Sequence, residues 1–376
     1  MADSTLILLN DPSQGHLALK ANGQVATTFQ DATDASRPQW APVTDLQSNP
    51  STNVTIIGGG FMGLSTAIAL AQKAQEEGRP ISISLLEAKQ IGFGASGRSG
   101  GHIDGALEPP DEMLTESTSH VRGLEKKLTK LGEGGPANVR AVINRYGINC
   151  NLGNGYMYMD HSNDGHRVYD YRGNLTNLEP YPYVQGLAAV ARSLGVKIYE
   201  NAPVSNITST ADGRFAVETA HGTVTAGHIV AAAGPTTETI PFFRDIARSR
   251  AVNLPVSTII TPPLPEKVRI AILGTAGKKM LAGAEEENPN EDVAFWHFDQ
   301  REQRMIFGVG ISTTSRVNAT AIAKEMDRIF PNLRAAYRKE TGQTLPGKFI
   351  PKTRISITAP VGCRMWRRFP WIMQAA

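Results

Sequence analysis

A glycine-rich run directly follows a short β-branched segment in the first quarter of the chain. Residues 58–63 read GGGFMG, which is the spacing G-x-G-x-x-G. In this pattern the first glycine makes a tight turn, the second lets the backbone approach a pyrophosphate, and the third lets a helix pack on a strand. The helix N-terminus offers N–H groups and partial positive charge to phosphate oxygens. Glu87 follows Gly63 by 24 residues, near the ~20 expected for an acid that binds ribose hydroxyls.

This arrangement predicts a dinucleotide site without choosing between FAD and NAD. An acid at the position of Glu87 disfavours a 2′-phosphate, which argues against NADP. Residues 92–101 read GFGASGRSGG and show no helical or strand period, so they form a second loop that needs glycine. A nicotinamide-dependent dehydrogenase, the weakest of the alternatives, has no need for this second glycine-rich loop.

The second loop resembles the flavin loop of the D-amino-acid oxidase superfamily, and above all its γ-glutamylputrescine oxidoreductase branch. There a GxGASGRNGG run wraps the pyrophosphate, the ribityl chain and the flavin ring; Ser99 stands where Asn is common. The similarity spans roughly residues 52–335 and includes the stretch from Tyr181 to Val204 and the strand that ends at Gly234. It implies that the cofactor is FAD. The residues expected to bind it are Gly58, Gly60, Phe61, Met62, Gly63, Glu87, Ala95, Ser96, Gly97, Arg98, Gly100, Gly101, Val204 and Gly234.

The resemblance implies oxidation of a small-molecule amine or amino acid, with hydride transfer to flavin N5. No catalytic residue is assigned, and the candidates are His102, Tyr156, Trp296 and His297. His102 follows the flavin loop and would face the ring or act as a polar filler. Trp296 and His297 lie on a predicted substrate-domain strand, where the family lines its substrate pocket. Core packing for Trp296 and solvent exposure for His297 fit the pattern equally well.

Periodicity predicts the elements that position these residues. A strand at 54–57, a helix at 61–77 and a strand at 81–86 form a β-α-β unit. Residues 111–146 are predicted to form two helical pieces broken at 132–136, and further strands are expected at 153–159, 204–209, 215–219, 223–226, 229–233, 254–261, 294–298 and 305–309. Helices are expected at 184–194 and 320–330.

The predicted fold class is α/β: a doubly wound, Rossmann-like FAD domain with an inserted α+β substrate domain on an antiparallel sheet. We expect a leader at 1–50, an FAD domain at 51–110 and 180–238, a substrate domain at 111–179 and 239–335, and an atypical basic tail at 336–376. From residue 341 onward the chain has no Asp or Glu. The tail matches the family poorly and lacks a counterpart of its last flavin-binding segment. The alternative function is therefore a truncated, inactive relative that binds nucleotide weakly or not at all.

Composition limits the remaining classes. The 376 residues are 41% hydrophobic and 19% charged with a net charge of +3, which excludes a disordered chain and gives no reason to expect nucleic acid. The two cysteines favour a reducing compartment, so we expect a cytoplasmic location and no metal site. No signal peptide is recognised. Residues 54–71 are uncharged, but their glycines favour strand, turn and helix over a membrane span. The oligomeric state is left open.

Overall fold

The computed structural model describes residues 17–19, 25–27, 41, 43–97, 99–103, 119–161, 167–274, 277, 282–285, 294–299, 303–309, 319–345 and 350–360. Its strands are β1 (Leu17–Leu19), β2 (Val25–Thr27), β3 (Ser51–Ile57), β4 (Ile83–Leu86), β5 (His102–Ile103), β6 (Gly153–His161), β7 (Arg167–Asn177), β8 (Lys197–Tyr199), β9 (Val204–Ser209), β10 (Phe215–Thr219), β11 (Gly222–Ala231), β12 (Ala251–Pro263), β13 (Ala282–Glu285), β14 (Ala294–Asp299), β15 (Arg304–Val309) and β16 (Ile350–Pro360).

The α-helices are α1 (Phe61–Glu76), α2 (Ser119–Tyr146), α3 (Pro180–Ser193), α4 (Arg244–Arg250), α5 (Glu266–Leu273), α6 (Ala319–Ile329) and α7 (Leu333–Thr341). Short 3-10 helices occur at Val43–Ser48, Ala95–Gly97, Gly234–Thr239 and Pro241–Phe243. Among the described residues, no helix has the length and apolar character that a bilayer crossing needs.

The first large sheet has six strands in the order β8-β4-β3-β11-β10-β9. Strands β8, β4, β3 and β11 are parallel, and β10 and β9 form an antiparallel meander beside them. The chain leaves β3 for β4 on one side and returns as β11 on the other, so β3 lies at the topological switch point where α/β sheets bind ligands. The predicted α/β class is confirmed.

Alternating side chains of β3 supply two hydrophobic cores. Val54 and Ile56 pack with the apolar faces of α1 and α3, whereas Ile57 faces a second core on the opposite side of the sheet. This second core contains Leu46, which is fully buried and comes from the 3-10 helix at 43–48. Part of the predicted leader therefore belongs to the folded unit. The sequence did not indicate this, because one leucine in a polar segment gives no periodic signal.

The second large sheet has eight strands in the order β16-β12-β15-β14-β13-β6-β7-β5. All neighbours are antiparallel except the parallel pair β13 and β6. Helices α5, α6 and α7 pack on one face of this sheet around Trp296, Phe307 and Phe330. Because it contains the strands predicted for the substrate domain, we call this sheet the substrate-side sheet.

Several element predictions need correction. The break predicted at 132–136 is wrong: α2 is continuous with Pro136 inside it. Pro136 cannot donate a hydrogen bond to the carbonyl four residues earlier, but residues 139, 142 and 146 after it keep their packing against the first core, which holds the helix together. The strands predicted at 223–226 and 229–233 are one strand, β11, because Gly227 fits against Asn53 where a side chain would be crowded.

Two of the longest strands were not expected from the sequence. Residues 167–177, for which no element was predicted, form β7 and pair with β6. Residues 350–360, inside the segment predicted as a basic tail, form β16 and pair with β12 from Ala251 to Ile260. Isoleucine and threonine favour a strand here, but the absence of Asp and Glu led to the prediction of an atypical basic tail instead. Helix α7 and β16 thus extend this unit beyond residue 335.

Candidate functional site

The carboxyl ends of β3, β4 and β11 meet at one edge of the first sheet, and the glycine turn lies there. The Gly58 N–H donates to Leu86 O at 2.8 Å, and the Ala232 N–H donates to Ile57 O at 2.8 Å. Gly58 has a φ of +113°, and a methyl group on it would lie 2.2 Å from Ala232 O. Only glycine therefore fits between the two neighbouring strands.

The same turn opens α1 in a form suited to a phosphate. Gly60 is the N-cap residue and has extended backbone. Because glycine has no side chain, it cannot cap the N–H groups of the first turn itself. A methyl group on Gly63 would lie 2.0 Å from Gly58 O, so this glycine lets the helix start close to the strand. Phe61 and Met62 form the first turn, with Met62 42% exposed at the surface of the site. The first-turn N–H groups of a helix lack intrahelical acceptors and attract anions.

Glu87 lies beside the turn rather than in open solvent. Its Oε2 accepts from Gly59 N–H at 2.8 Å and its Oε1 from Lys89 N–H at 2.9 Å. Burial raises the pKa of this carboxyl, and the backbone donors at Lys89 and Gly59 offset part of the rise. The carboxylate thus sits where β4 ends, as an acid that binds a ribose must.

The second glycine loop folds directly against the first. Residues Ala95–Gly97 form a 3-10 helix, and Ser96 Oγ accepts the Phe61 N–H at 2.9 Å. A methyl group on Gly60 would lie 2.8 Å from that oxygen, and one on Gly97 would lie 2.1 Å from Gly92 O. The two loops that the sequence predicted to bind one cofactor are therefore in contact, with Ser96 between them.

Two polar side chains anchor the start of the second loop. Glu200 Oε1 accepts the Ile91 N–H at 2.6 Å, and Gln185 Nε2 donates to Ile91 O at 2.8 Å. Neither anchor was predicted from the sequence, because both residues are about 100 positions away from the loop along the chain. Arg98, predicted to bind the cofactor, lies outside the described residues.

The loop ends where the substrate-side sheet begins. Gly101 has a φ of +72°, and a methyl group on it would lie 2.0 Å from Leu178 O. The Leu178 N–H donates to Gly101 O at 2.9 Å, and His102 pairs with Asn177 as the first residue of β5. Gly100 and Gly101, the last residues of the second glycine loop, therefore connect it to β5, the edge strand of the other sheet.

His102 contacts β14 across this junction. Its Nε2 lies 3.1 Å from Trp296 O, and its ring meets the Phe295 ring edge to face with centroids 6.0 Å apart. Burial lowers the pKa of His102 to about 4, although the contact with the Trp296 carbonyl acts in the opposite direction. The imidazole is therefore neutral at physiological pH.

Strand β14 separates the other candidates onto two faces. Trp296 is fully buried in the core under α6 and α7, with its ring edge to face with Phe330 at 5.3 Å, which favours the core-packing alternative. Phe295 and His297 alternate with it and face the opposite side, where Phe295 meets His102; His297 is buried, not exposed to solvent. Phe295 was missed, although strand alternation with His297 could have identified it. Tyr156 lies on β6, and its side chain is outside the description.

The two remaining predicted residues follow parallel strands of the first sheet. Gly234 comes after β11 with a φ of +54°. Val204 begins β9 after a loop in which the Ala202 N–H donates to Glu87 O at 2.9 Å, so this loop lies beside the predicted ribose acid. The described residues hold no cluster of three or more His, Cys, Asp or Glu that could bind a metal ion.

The residues present fit a flavin dinucleotide. At four glycines (58, 60, 63 and 97) a Cβ atom would clash with neighbouring protein atoms, and a helix N-terminus and a half-buried acid lie beside them. A second loop then extends toward another sheet. This is the geometry needed to hold an elongated cofactor between two units, with its phosphates at α1.

Comparison with known proteins identifies related sequences. A family model described as FAD dependent oxidoreductase matches residues 53–177 and 168–353. A probable oxidoreductase, OrdL, of Haemophilus influenzae is 25% identical over 337 residues, which are 78% of this chain and 72% of the relative. Gamma-glutamylputrescine oxidoreductase of Escherichia coli is 27% identical over 237 residues, which are 53% of this chain and 52% of that protein.

Solved structures share the fold. Glycine oxidase from Geobacillus kaustophilus has a TM-score of 0.57 at 14% identity, covering 84% of each chain. L-proline dehydrogenase from P. horikoshii has a TM-score of 0.56 at 13% identity, covering 83% of this chain and 82% of that one. At these identities the likeness concerns the arrangement of the two sheets.

Proposed function

This chain belongs to the family of FAD-dependent oxidoreductases, and we infer that it oxidises an amine or an amino acid by hydride transfer to flavin N5. The chain is an oxidoreductase and FAD is its cofactor. The observation that carries the proposal is the contact of both glycine loops at the switch point, continued by Gly100 and Gly101 into the substrate-side sheet. The name of one relative, gamma-glutamylputrescine oxidoreductase, supports an amine substrate, and glycine oxidase, which shares the fold, is named for an amino acid.

Each part of the site would have a distinct role. The glycine turn and the first turn of α1 would bind the pyrophosphate, Glu87 the ribose, and residues 95–101 the middle of the cofactor. When bound, FAD supplies the hydride acceptor, and the protein supplies binding and orientation. Phe295 and neutral His102, whose rings are in contact, would give this side of the site an uncharged lining that excludes water and favours the neutral form of an amine.

The first experiment measures flavin binding and reduction together. The purified chain is incubated with FAD, the excess is removed, and the absorbance spectrum is recorded. We expect flavin bands in the visible region, which bleach when an amine or amino acid is added without oxygen. The panel should include primary amines, N-methylated amines, α-amino acids and γ-glutamylated diamines.

The variant Gly63→Ala provides a matched comparison, with Gly135→Ala as the control. A methyl group on Gly63 would overlap Gly58 O, whereas nothing lies within 4 Å of one on Gly135, which is also helical. Gly63→Ala should lose the flavin bands and Gly135→Ala should keep them. If the unsubstituted chain retains no FAD, the alternative of an inactive relative replaces the proposal. If the chain binds FAD but no compound of the panel bleaches it, amine oxidation is contradicted and FAD binding stands.

We also propose a cytoplasmic location, because the chain has few cysteines. One of them, Cys150, is buried and is not in a disulfide. Burial raises the pKa of the Cys150 thiol to about 12, with a further contribution from Glu179. The thiol is therefore protonated and unreactive at neutral pH, consistent with a packing role.

A further inference from the structure

The imidazole of His102 links the second glycine loop to strand β14 of the substrate-side sheet. His102 is bonded through the main chain to Gly101 and begins β5, yet its ring reaches across to β14. The ring contacts the main chain of β14 at Trp296 O and the side chain of Phe295. These are two independent contacts with the same strand.

The hydrogen bond fixes the tautomer of this imidazole. A carbonyl oxygen only accepts, so the Nε2 atom that lies 3.1 Å from Trp296 O must carry the proton. In the neutral ring Nδ1 is then the acceptor nitrogen. A methyl group on Gly100 would lie 2.7 Å from both Nδ1 and Cε1 of His102 and 3.3 Å from the Phe295 ring. The ring is therefore packed between the loop backbone and β14.

We propose that His102 is a positioning residue that holds the second glycine loop in register with β14 and so sets the environment of the flavin ring. It acts through the loop and the strand, not by touching the reacting atoms. Removing the ring would remove the contacts of His102 with β14 and leave the short pairing of β5 with β7 and the bond from Leu178 N–H to Gly101 O. The inference rests on the proposed use of this loop by FAD, but its test needs no substrate, so the two proposals fail separately.

The test uses three variants of His102 in the full chain. His102→Gln keeps an N–H donor at a reach similar to Nε2, His102→Phe keeps a ring against Phe295 without the donor, and His102→Ala removes both. His228→Ala, at an exposed histidine on β11, is the control. For each protein the dissociation constant for FAD, the shape and position of the visible flavin band, and the melting temperature of the FAD-free protein are measured.

We expect His102→Ala and His102→Phe to raise the dissociation constant for FAD at least fivefold, by about 1 kcal/mol or more, and to shift or broaden the flavin band. His102→Gln should stay within about twofold of the parent protein, a difference of under 0.5 kcal/mol, and the control should be unchanged. If His102→Ala does not fold, the comparison of His102→Phe with His102→Gln decides. Equal FAD affinity and identical spectra in all variants would overturn the proposal, as would affinity losses that only follow losses of melting temperature.

Discussion

The small residues of the second loop differ in how much room surrounds them. A methyl group on Gly97 would lie 2.1 Å from Gly92 O, whereas nothing lies within 4 Å of one on Gly94. Both glycines belong to the same loop, so they form a matched pair. What separates them is whether the loop must fold back on itself at that position.

We therefore expect Gly97→Ala to displace the loop and to weaken FAD binding by at least tenfold, about 1.4 kcal/mol. Gly94→Ala should bind FAD within about twofold of the parent protein. Titration of the FAD-free protein with FAD, followed by fluorescence, measures both. Equal weakening in the two variants would show that loop flexibility, not close packing, is what the glycines provide.

The partial burial of Glu87 makes its contribution to folding stability depend on pH. Its pKa is raised in the folded chain, so the folded state holds the proton more tightly than the unfolded state. The contribution of Glu87 to stability therefore falls as pH rises from the unfolded pKa of about 4.5 through the folded pKa. A glutamine at this position does not titrate.

For Glu87→Gln we predict a difference in unfolding free energy, variant minus parent, that grows as pH rises from 5 to 7. FAD affinity should fall by about tenfold, because a hydrogen bond to a charged acceptor is worth about 1.5–3 kcal/mol and Gln retains only one acceptor oxygen. Chemical denaturation at several pH values and FAD titration check the two parts. A difference that is flat with pH would mean that Glu87 titrates normally.

At the scale of elements, the two faces of β14 pack against different parts of the molecule. Trp296 and Phe298 pack under the helices, while Phe295 and His297 face the other way. Trp296 Nε1 is buried, and no hydrogen-bond partner for it is found in the described part of the chain. Replacing this indole with a smaller ring loses packing but also removes an unsatisfied donor.

Trp296→Phe should therefore lower the unfolding free energy by about 1–3 kcal/mol. FAD affinity and kcat/KM on any substrate found should stay within about twofold. Denaturant unfolding and steady-state kinetics measure these values. A large loss of kcat/KM at unchanged stability would assign Trp296 to the reaction instead of the core.

The 3-10 helix at 43–48 seals the second core of the first sheet. Leu46 is fully buried there, and a methyl group on Gly222 would lie 2.1 Å from its carbonyl oxygen. Leu46→Ala should cost about 2–5 kcal/mol, as for other buried leucines, and lower the melting temperature by several degrees. Gln47→Ala, at the exposed neighbour, should be nearly neutral. Equal melting temperatures for the two variants would show that residues 43–48 contribute nothing to the fold.

At the scale of the whole molecule, FAD should act as a stabilising ligand. A ligand that binds only the folded state adds about 2.7 kcal/mol at a free concentration of 100 times its dissociation constant. Because the second glycine loop runs into the substrate-side sheet, FAD should raise the melting of both units. Calorimetry with and without FAD tests this, and two transitions of which only one moves would contradict it.

The sequence was most informative where structure depends on local chemistry. The turn at Gly58, the N-terminus of α1 and the acid at Glu87 are specified within 30 residues, and their types and spacing follow directly from sterics and charge. The pairing of β16 with β12 spans about 100 residues and depends on packing that no local pattern encodes. Likewise, the contact of His102 with β14 joins residues 194 positions apart.

The junction between Gly101 and His102 has a consequence for changes in chain length. Side chains of a strand alternate between two faces, so one residue inserted before β5 would itself take the place of His102 and turn His102 away from β14. The carbonyl of Gly101 is already fixed by Leu178, so the chain has no slack on that side. The number of residues at this boundary between the two units is therefore fixed, and a graft or fusion of either unit must preserve it.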